Sequence, residues 1–588
     1  MSKKFKWVHQ KKTQAEIPYE TPVWLGNLSN GEFFLPQSER KRKLRETILQ
    51  KCDDNARKLG MDRREFIAST MGMATTLSVL NFASGCGNKE GMMDQNTLDR
   101  LMAGASGSPY DGGIGNVGGG GGFGMGPAGA AGTRSAAGSG EPVLPGAASG
   151  GGNGGGGSGG PVPGMGGSGG SLGGGSGGGG GSDGGFVVTP EMCMDEALAD
   201  KLFKTDYFIL DFQTHHTNTG SPGPVYYDCT LGAACTSPEE YVRLIFEESE
   251  TTVAVLSGLP SEIDEVTNDL TGPFSFRNED MRNSRDRVNK AAMLNAMAAE
   301  RMVAHCQISP KNNPEANARM MTENKQMYDT RGWKCYPPTE GGWFLHENDA
   351  FIKTANELGE PLVCVHKGFP FAGWSRVHAD PMPDNGVTAL RYPDTKFVVY
   401  HSAYDSGHVE GEYNPNPDAD MGGTDRLWKV IQDNQLYNKN VFAEMGSAWA
   451  ISMMDPVVAQ HYIGKALKFM GEDRVVWGSE CVWFGSPQNQ IEAMKVFQIS
   501  KEFQDKYGYP EFTDTIRRKI FGLTGATLYR VDPNACRYKV ARSGLMARKM
   551  ERDDIFGPRR HAINPPAIRT RRQFLSMRAD MIRRGELG

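Results

Sequence analysis

"FILDFQTHHTNTG" (residues 208–220) is the stretch on which the fold turns. Phe208, Ile209 and Leu210 form the apolar run of a buried strand. Asp211, Gln213, His215 and His216 follow before the chain breaks at Gly220. A strand that ends in Asp-x-His-x-His predicts a metal centre at the mouth of a barrel, and here Gln213 stands in place of the first of those histidines. Gln213 and His215 are two residues apart, so on a strand they share a face.

Working outward, short apolar runs alternate with longer amphipathic stretches from Phe186 onward. The runs are "YFILDF" (207–212), "TVAVLSG" (252–258), "RMVAHCQIS" (301–309), "GWKCY" (332–336), "PLVCVH" (361–366), "KFVVYH" (396–401), "NVFAEM" (440–445) and "RVVWGSE" (474–480). Stretches such as "SPEEYVRLIFEESE" and "DPVVAQHYIGKALKFMG" separate them, several with an N-cap residue in front and a glycine behind. Eight strands with intervening helices predict an α/β protein, either a (β/α)8 TIM barrel or a doubly wound sheet. Asp211, Gln213, His215, Lys334, His366, His401, Glu444 and Glu480 all stand at or just past the C-terminal ends of their strands. In a barrel those ends converge on one mouth, whereas in an open sheet they spread along an edge. The barrel is therefore expected, over 191–535.

Of 76 glycines, 41 fall between Gly104 and Gly185, in a stretch with only four charged residues. It buries too little apolar surface to offset its chain entropy, which predicts a flexible linker over 87–190. A net charge of −5 gives no argument for nucleic acid. The end of the chain differs, with 14 Lys/Arg against 5 Asp/Glu from Arg537 to Gly588; a solvated tail, or a strap over the barrel, is expected there. The ten cysteines include no CxxC, and only Cys229 and Cys235 stand close enough to invite pairing.

Residues 61–86, "MDRREFIASTMGMATTLSVLNFASGC", resemble a twin-arginine export signal, with Arg63 and Arg64 before an apolar run too short for a permanent membrane span. Ala83-Ser84-Gly85-Cys86 resembles a lipoprotein cleavage box, with Cys86 as the lipid acceptor. The expectation is an exported protein, periplasmic or anchored at the membrane, with a charged, partly helical segment over 1–60.

The order of the strand-end residues resembles the amidohydrolase superfamily, and most closely its amidohydrolase-related branch, which holds aminocarboxymuconate-semialdehyde decarboxylase, γ-resorcylate decarboxylase and various hydrolases. Asp211-Phe212-Gln213-Thr214-His215 is similar to the first motif, His366 in "CVHKG" to the fifth-strand histidine, and His401 in "VVYHSA" to the sixth-strand one. Gly478-Ser479-Glu480-Cys481-Val482-Trp483 is similar to the last motif, and "IFGLTGATLYRVD" (520–532) to the closing helix. Gln213 and Glu480 depart from the family's histidine and aspartate. The resemblance implies one divalent metal, most often zinc, with manganese or iron as alternatives, held by Gln213, His215, His366 and Glu480. It implies His401 and Glu480 as catalytic groups, with Lys334, Arg376 and Trp483 binding a small, carboxylate-bearing substrate. Lys334 has the alternative role of a carbamylated bridge, and His401 that of a structural histidine. His216 is expected to be structural, and Glu444 to form an ion pair or line the pocket.

Hydrolysis is the activity first expected, with decarboxylation by the same site as the alternative and a metal-free binding protein on an inherited barrel as the third. A homo-oligomer and a small-molecule substrate are the expected partners.

Overall fold

The computed structural model describes residues 20–28, 34–85, 184–216, 238–259 and, with short breaks, 301–540, plus a few positions elsewhere. Cys86, most of the glycine-rich stretch, Cys229, Cys235 and nearly all of the basic C-terminus lie outside the described residues.

Each of the eight apolar runs carries a strand. They are β1 (Leu210–Thr214), β2 (Val253–Leu256), β3 (Met302–Ala304, resuming as Cys306–Gln307), β4 (Trp333–Cys335), β5 (Leu362–His366), β6 (Lys396–Tyr400), β7 (Val441–Glu444) and β8 (Val475–Val476). All are parallel and pair in chain order, with β3 interrupted at His305. Backbone bonds also run between the ends of the series: Phe212 N to Trp477 O (2.9 Å), Glu480 N to Gln213 O (2.9 Å) and His215 N to Cys481 O (2.7 Å). This is the order of a TIM barrel.

Side-chain alternation sorts the strands into two cores. Leu210, Phe212, Val253, Val255, Val303, Leu362, Cys364, Val398, Tyr400, Phe442 and Val476 pack together with Ala526 and Tyr529 of the closing helix. Alternate residues such as Trp333, Val363, Val399 and Ala443 join the larger core under the helices. Two residues past an inward apolar position, the chain turns polar: Ser257 after Val255, His305 after Val303, His366 after Cys364, Glu444 after Phe442. On β1 the register shifts between Asp211 and Thr214. That irregularity lets Phe212 stay in the interior core while Gln213 and His215 also reach the mouth.

The structure differs from the sequence reading at the N-terminus. Helices α1 (Glu39–Leu59), α2 (Arg63–Ile67) and α3 (Thr70–Ala83) belong to the same compact unit as the strands, so the boundaries drawn at 60 and 86 do not separate folded bodies. Ser38 caps α1 and Gly60 ends it in the left-handed conformation; Lys41, Leu44, Ile48, Cys52 and Ala56 form its buried stripe. Helix α3 is buried all round, from Thr70 to Phe82, as an apolar helix without a polar face must be. Its threonines cap themselves, Thr75 Oγ1 on Met71 O and Thr76 Oγ1 on Gly72 O, so their burial leaves no hydroxyl unpaired. Among the described residues no helix is long and apolar enough to cross a membrane.

Candidate active site

On β1 the amide of Gln213 and the ring of His215 meet, Nε2 to Nε2, at 3.2 Å. His215 Nδ1 lies 3.0 Å from Ser257 O, a carbonyl that can only accept, so the ring proton sits on Nδ1 and the Nε2 lone pair faces the amide N–H. Gln213 Oε1 is buried with no hydrogen-bond partner. Asp211 ties this strand to the last one: its Oδ1 accepts from Gln213 N (3.3 Å) and Ser479 N (3.0 Å). Burial raises its carboxyl to about 7.

A second imidazole pair joins β5 to the end of β6. His401 Nδ1 lies 3.0 Å from Gly446 O, so His401 too is protonated on Nδ1. Its Nε2 then accepts across the 3.3 Å contact to His366 Nδ1, which directs the lone pair of His366 to Nε2. Burial, with the charge of Lys334 next among the causes, holds His401 well below the usual histidine range, and the same two effects bring His215 down to about 3. His366 is also held well below that range, by burial, then His401 and Lys334.

Lys334 is therefore the cation that every one of these rings feels. It is fully buried, its Nζ 3.2 Å from the centre of the Tyr400 ring and 4.6 Å from that of Tyr336. The platform beneath it is fixed by a directed hydrogen-bond chain. Tyr400 O–H donates to Phe212 O (3.1 Å), so Ser257 Oγ must donate to Tyr400 (2.8 Å) and accept from His305 Nδ1 (2.8 Å). His305 Nε2 is then left to accept from Tyr529 O–H. Each group in the chain is satisfied in one direction only.

Glu444 sits below the imidazole pair. Its Oε2 accepts from His401 N (2.9 Å), its Oε1 from Gly446 N (2.5 Å), and burial raises it to about 8. A Cβ on Gly446 would stand 2.3 Å from Gln213 Oε1, so only glycine fits between the two strands here. Glu480 accepts the Ser447 hydroxyl and lies with Oε2 3.7 Å from His401 Nδ1. Left-handed backbone concentrates around the mouth, at His401 (φ 59°), Ser402 (51°), Ala403 (56°), Ser447 (54°) and Glu480 (57°). Such strain persists where the surroundings over-determine the chain. Trp483 stacks on His215 at 5.8 Å, and Trp374 stands edge-on to His366 at 5.3 Å.

The structure thus brings together Gln213, His215, Lys334, His366, His401, Glu480 and Trp483. It does not bring Arg376 among them: that side chain is half exposed, pairs with Asp405 at 3.0 Å and lines a separate small cleft with Gly368, Ala403 and Arg426. His216 packs edge-on against Tyr241 (5.2 Å), a structural place, and Trp449 is core, its N–H on Gln490 O. Glu444 turns out to be a backbone anchor rather than half of an ion pair. Sequence reasoning missed Ser257, His305, Tyr400, Gly446 and Ser447. His305 in "MVAHCQ" and Ser257 in "VLSG" occupy the strand-end position that singled out His366, so the same rule finds them; Gly446 and Ser447 carry no such signal.

Among the described residues no three His, Cys, Asp or Glu side chains converge to hold a metal ion. The donors that would hold one are His215 Nε2, His366 Nε2 and the amide oxygen of Gln213, and they would do so only with the Gln213 amide turned, since His215 Nε2 here accepts its N–H.

Residues 265–531 match the family model described as Amidohydrolase, a span that begins after β1 and β2 and so leaves Gln213 and His215 outside it. No curated protein matches. Solved structures that resemble the chain include 5-carboxyvanillate decarboxylase from Novosphingobium aromaticivorans with manganese and a nitrobenzoic acid (12% identity, 55% of this chain and 96% of that one, TM-score 0.36). Others are 2,6-dihydroxybenzoate decarboxylase from Rhizobium (12%, 55% and 99%, 0.33) and a dihydroxybenzoic acid decarboxylase from Polaromonas with manganese and 2-nitroresorcinol (11%, 55% and 97%, 0.36).

Proposed function

We propose that this chain is a closed-barrel enzyme of amidohydrolase type that removes carbon dioxide from a small carboxylate, with a divalent metal ion held by His215, His366 and Gln213. The observation that carries the proposal is the buried ammonium of Lys334 inside a ring of neutral imidazoles. Its side chain lies at the mouth among these rings, where it can form a charge-assisted hydrogen bond with the carboxylate of an entering substrate. When bound, the metal adds positive charge that polarises a substrate oxygen.

The remaining work falls to the chain's own side chains. Lys334, fixed on Tyr400 by the chain through Ser257 and His305, orients the substrate and offsets charge that develops on it. Loss of carbon dioxide leaves the electron pair of the broken carbon–carbon bond on the substrate, and a proton must take the carboxyl group's place. His401 Nε2 accepts the His366 Nδ1–H while Gly446 O holds the His401 Nδ1–H, so this pair fixes His366 with its Nε2 lone pair turned away from His401, and the proton that replaces the carboxyl group is drawn from water. Trp483 and Trp374 exclude water from the rings they cover.

Hydrolysis is the second reading, because the same donors would serve a water nucleophile. Glu480 weighs against it: the carboxylate that would take the water's proton is engaged by Ser447 and turned toward His401. The test is a screen of small aromatic and aliphatic carboxylates and their esters against protein supplied with manganese or zinc. Carbon dioxide release supports the lyase reading; release of a carboxylic acid without carbon dioxide replaces it with hydrolysis.

A further inference from the structure

We infer that residues 20–85, the signal-like segment included, are a permanent, uncleaved arm of the folded body, so that the glycine-rich stretch after them does not follow a processed leader. The inference rests on contacts that only a retained arm can make and is independent of the proposed reaction.

The arm grips the body by side chains at both ends of α3. At the C-terminal end the Asn81 amide brackets the peptide of Phe186, donating to its carbonyl at 2.5 Å and accepting from its N–H at 2.9 Å. At the N-terminal end Thr70 Oγ1 donates to Asp200 at 2.9 Å. Between them Met73, Ala74, Leu77 and Leu80 enter the main hydrophobic core that also holds the outer faces of the strands.

Helix α1 adds a second hold. Arg40 pairs with Asp455 at 2.8 Å while reaching back to Ala83 O, so one guanidinium joins α1, the end of α3 and the body. Asp455 in turn caps helix α4 (Pro456–Met470) through Val457 N at 3.0 Å. The segment from Gly446 to Asp455 is the one that presents Gly446 O to His401 and Ser447 to Glu480. The arm therefore stands behind the strand-seven loop of the mouth. Its loss would remove Asn81 from Phe186, Thr70 from Asp200 and Arg40 from Asp455, and open an apolar floor. That is the opposite of what a removable leader requires, since a leader leaves its passenger's core intact.

Arg63 and Arg64 lie on short α2 away from its buried Phe66 and Ile67, while the apolar run that follows is buried in α3. Any receptor that reads both together must do so before α3 docks.

The experiment uses the full chain with a sequence-specific protease site placed between residues 150 and 160, cut to completion after purification. We expect the arm and body fragments to co-elute from a sizing column as one particle of the intact mass, 64.1 kDa, and to part only in denaturant. An arm fragment that elutes alone while the body remains folded overturns the inference. So does an intact-mass measurement on the uncut protein from its native host that shows the chain beginning at Cys86; a mass that retains residues 20–85 supports it.

Discussion

Truncating Leu77 to alanine separates a docked arm from a detached leader, because the residue has no exposed surface and lies mid-helix in the main core. A leucine-to-alanine change at such a site costs about 3 kcal/mol, the transfer term plus the cavity left behind. For a body of about 400 folded residues, the unfolding entropy near 60 °C is roughly 0.8 kcal/mol per degree, so the expected drop in Tm is about 4 °C. Leu59→Ala is the control. It stands at the end of α1, more than a third exposed, and should change stability by no more than about 0.5 kcal/mol. Differential scanning calorimetry at one scan rate reads both variants. A Leu77→Ala transition that coincides with that of Leu59→Ala would refute the packing of α3 and return the segment to a free leader.

Gly446→Ala drives a methyl to within 2.3 Å of Gln213 Oε1 and 2.7 Å of Glu444 Oε1, so it should abolish activity with little loss of fold; wild-type turnover in this variant would contradict the mouth described above. Lys334→Met removes the charge that helps hold the imidazoles neutral, so ring resonances of His366 and His401 followed by NMR should titrate at higher pH than in wild type. No shift would mean that Lys334 does not act on them. His461, buried beside Lys465 with its Nδ1 2.9 Å from Tyr509 Oη, is brought down to about 4 by burial first and Lys465 second. The unfolded chain therefore takes up this proton first as pH falls. The stability in question is complete above about pH 6.5 and is lost progressively toward pH 4, by about 3 kcal/mol. Denaturant melts of His461→Phe should show a shallower decline over that window, and a slope equal to wild type would sink the assignment.

The strands and the mouth were legible because both follow from period-2 alternation. Eight apolar runs each ended on a residue such as His366 or Glu480, and the inward row continues without interruption from core to site. What alternation could not show is direction. Arg376 has the charge expected of a carboxylate anchor, yet it lies ten residues past the strand end and turns outward to Asp405. Glu444, with no reading preferred, proved to be held by two backbone N–H groups contributed after β6 and β7, partners that no local pattern announces. The segment 61–86 shows the converse. A helix apolar on every side satisfies a leader and a buried core helix equally, and only contacts with Phe186 and Asp200, more than a hundred residues away, distinguish them.

Elemental analysis decides whether Gln213 completes a weak metal site with His215 and His366. Wild type, Gln213→His and His366→Ala should be purified without chelator, dialysed side by side and measured for manganese, zinc and iron. Wild type should carry about one ion per chain after brief dialysis and lose it on prolonged dialysis, because an amide is a poor donor. Gln213→His should retain its ion, and His366→Ala should hold none. A wild type free of metal under every loading condition, beside a Gln213→His variant that acquires one, would rule out the site and leave the barrel a metal-free binding protein.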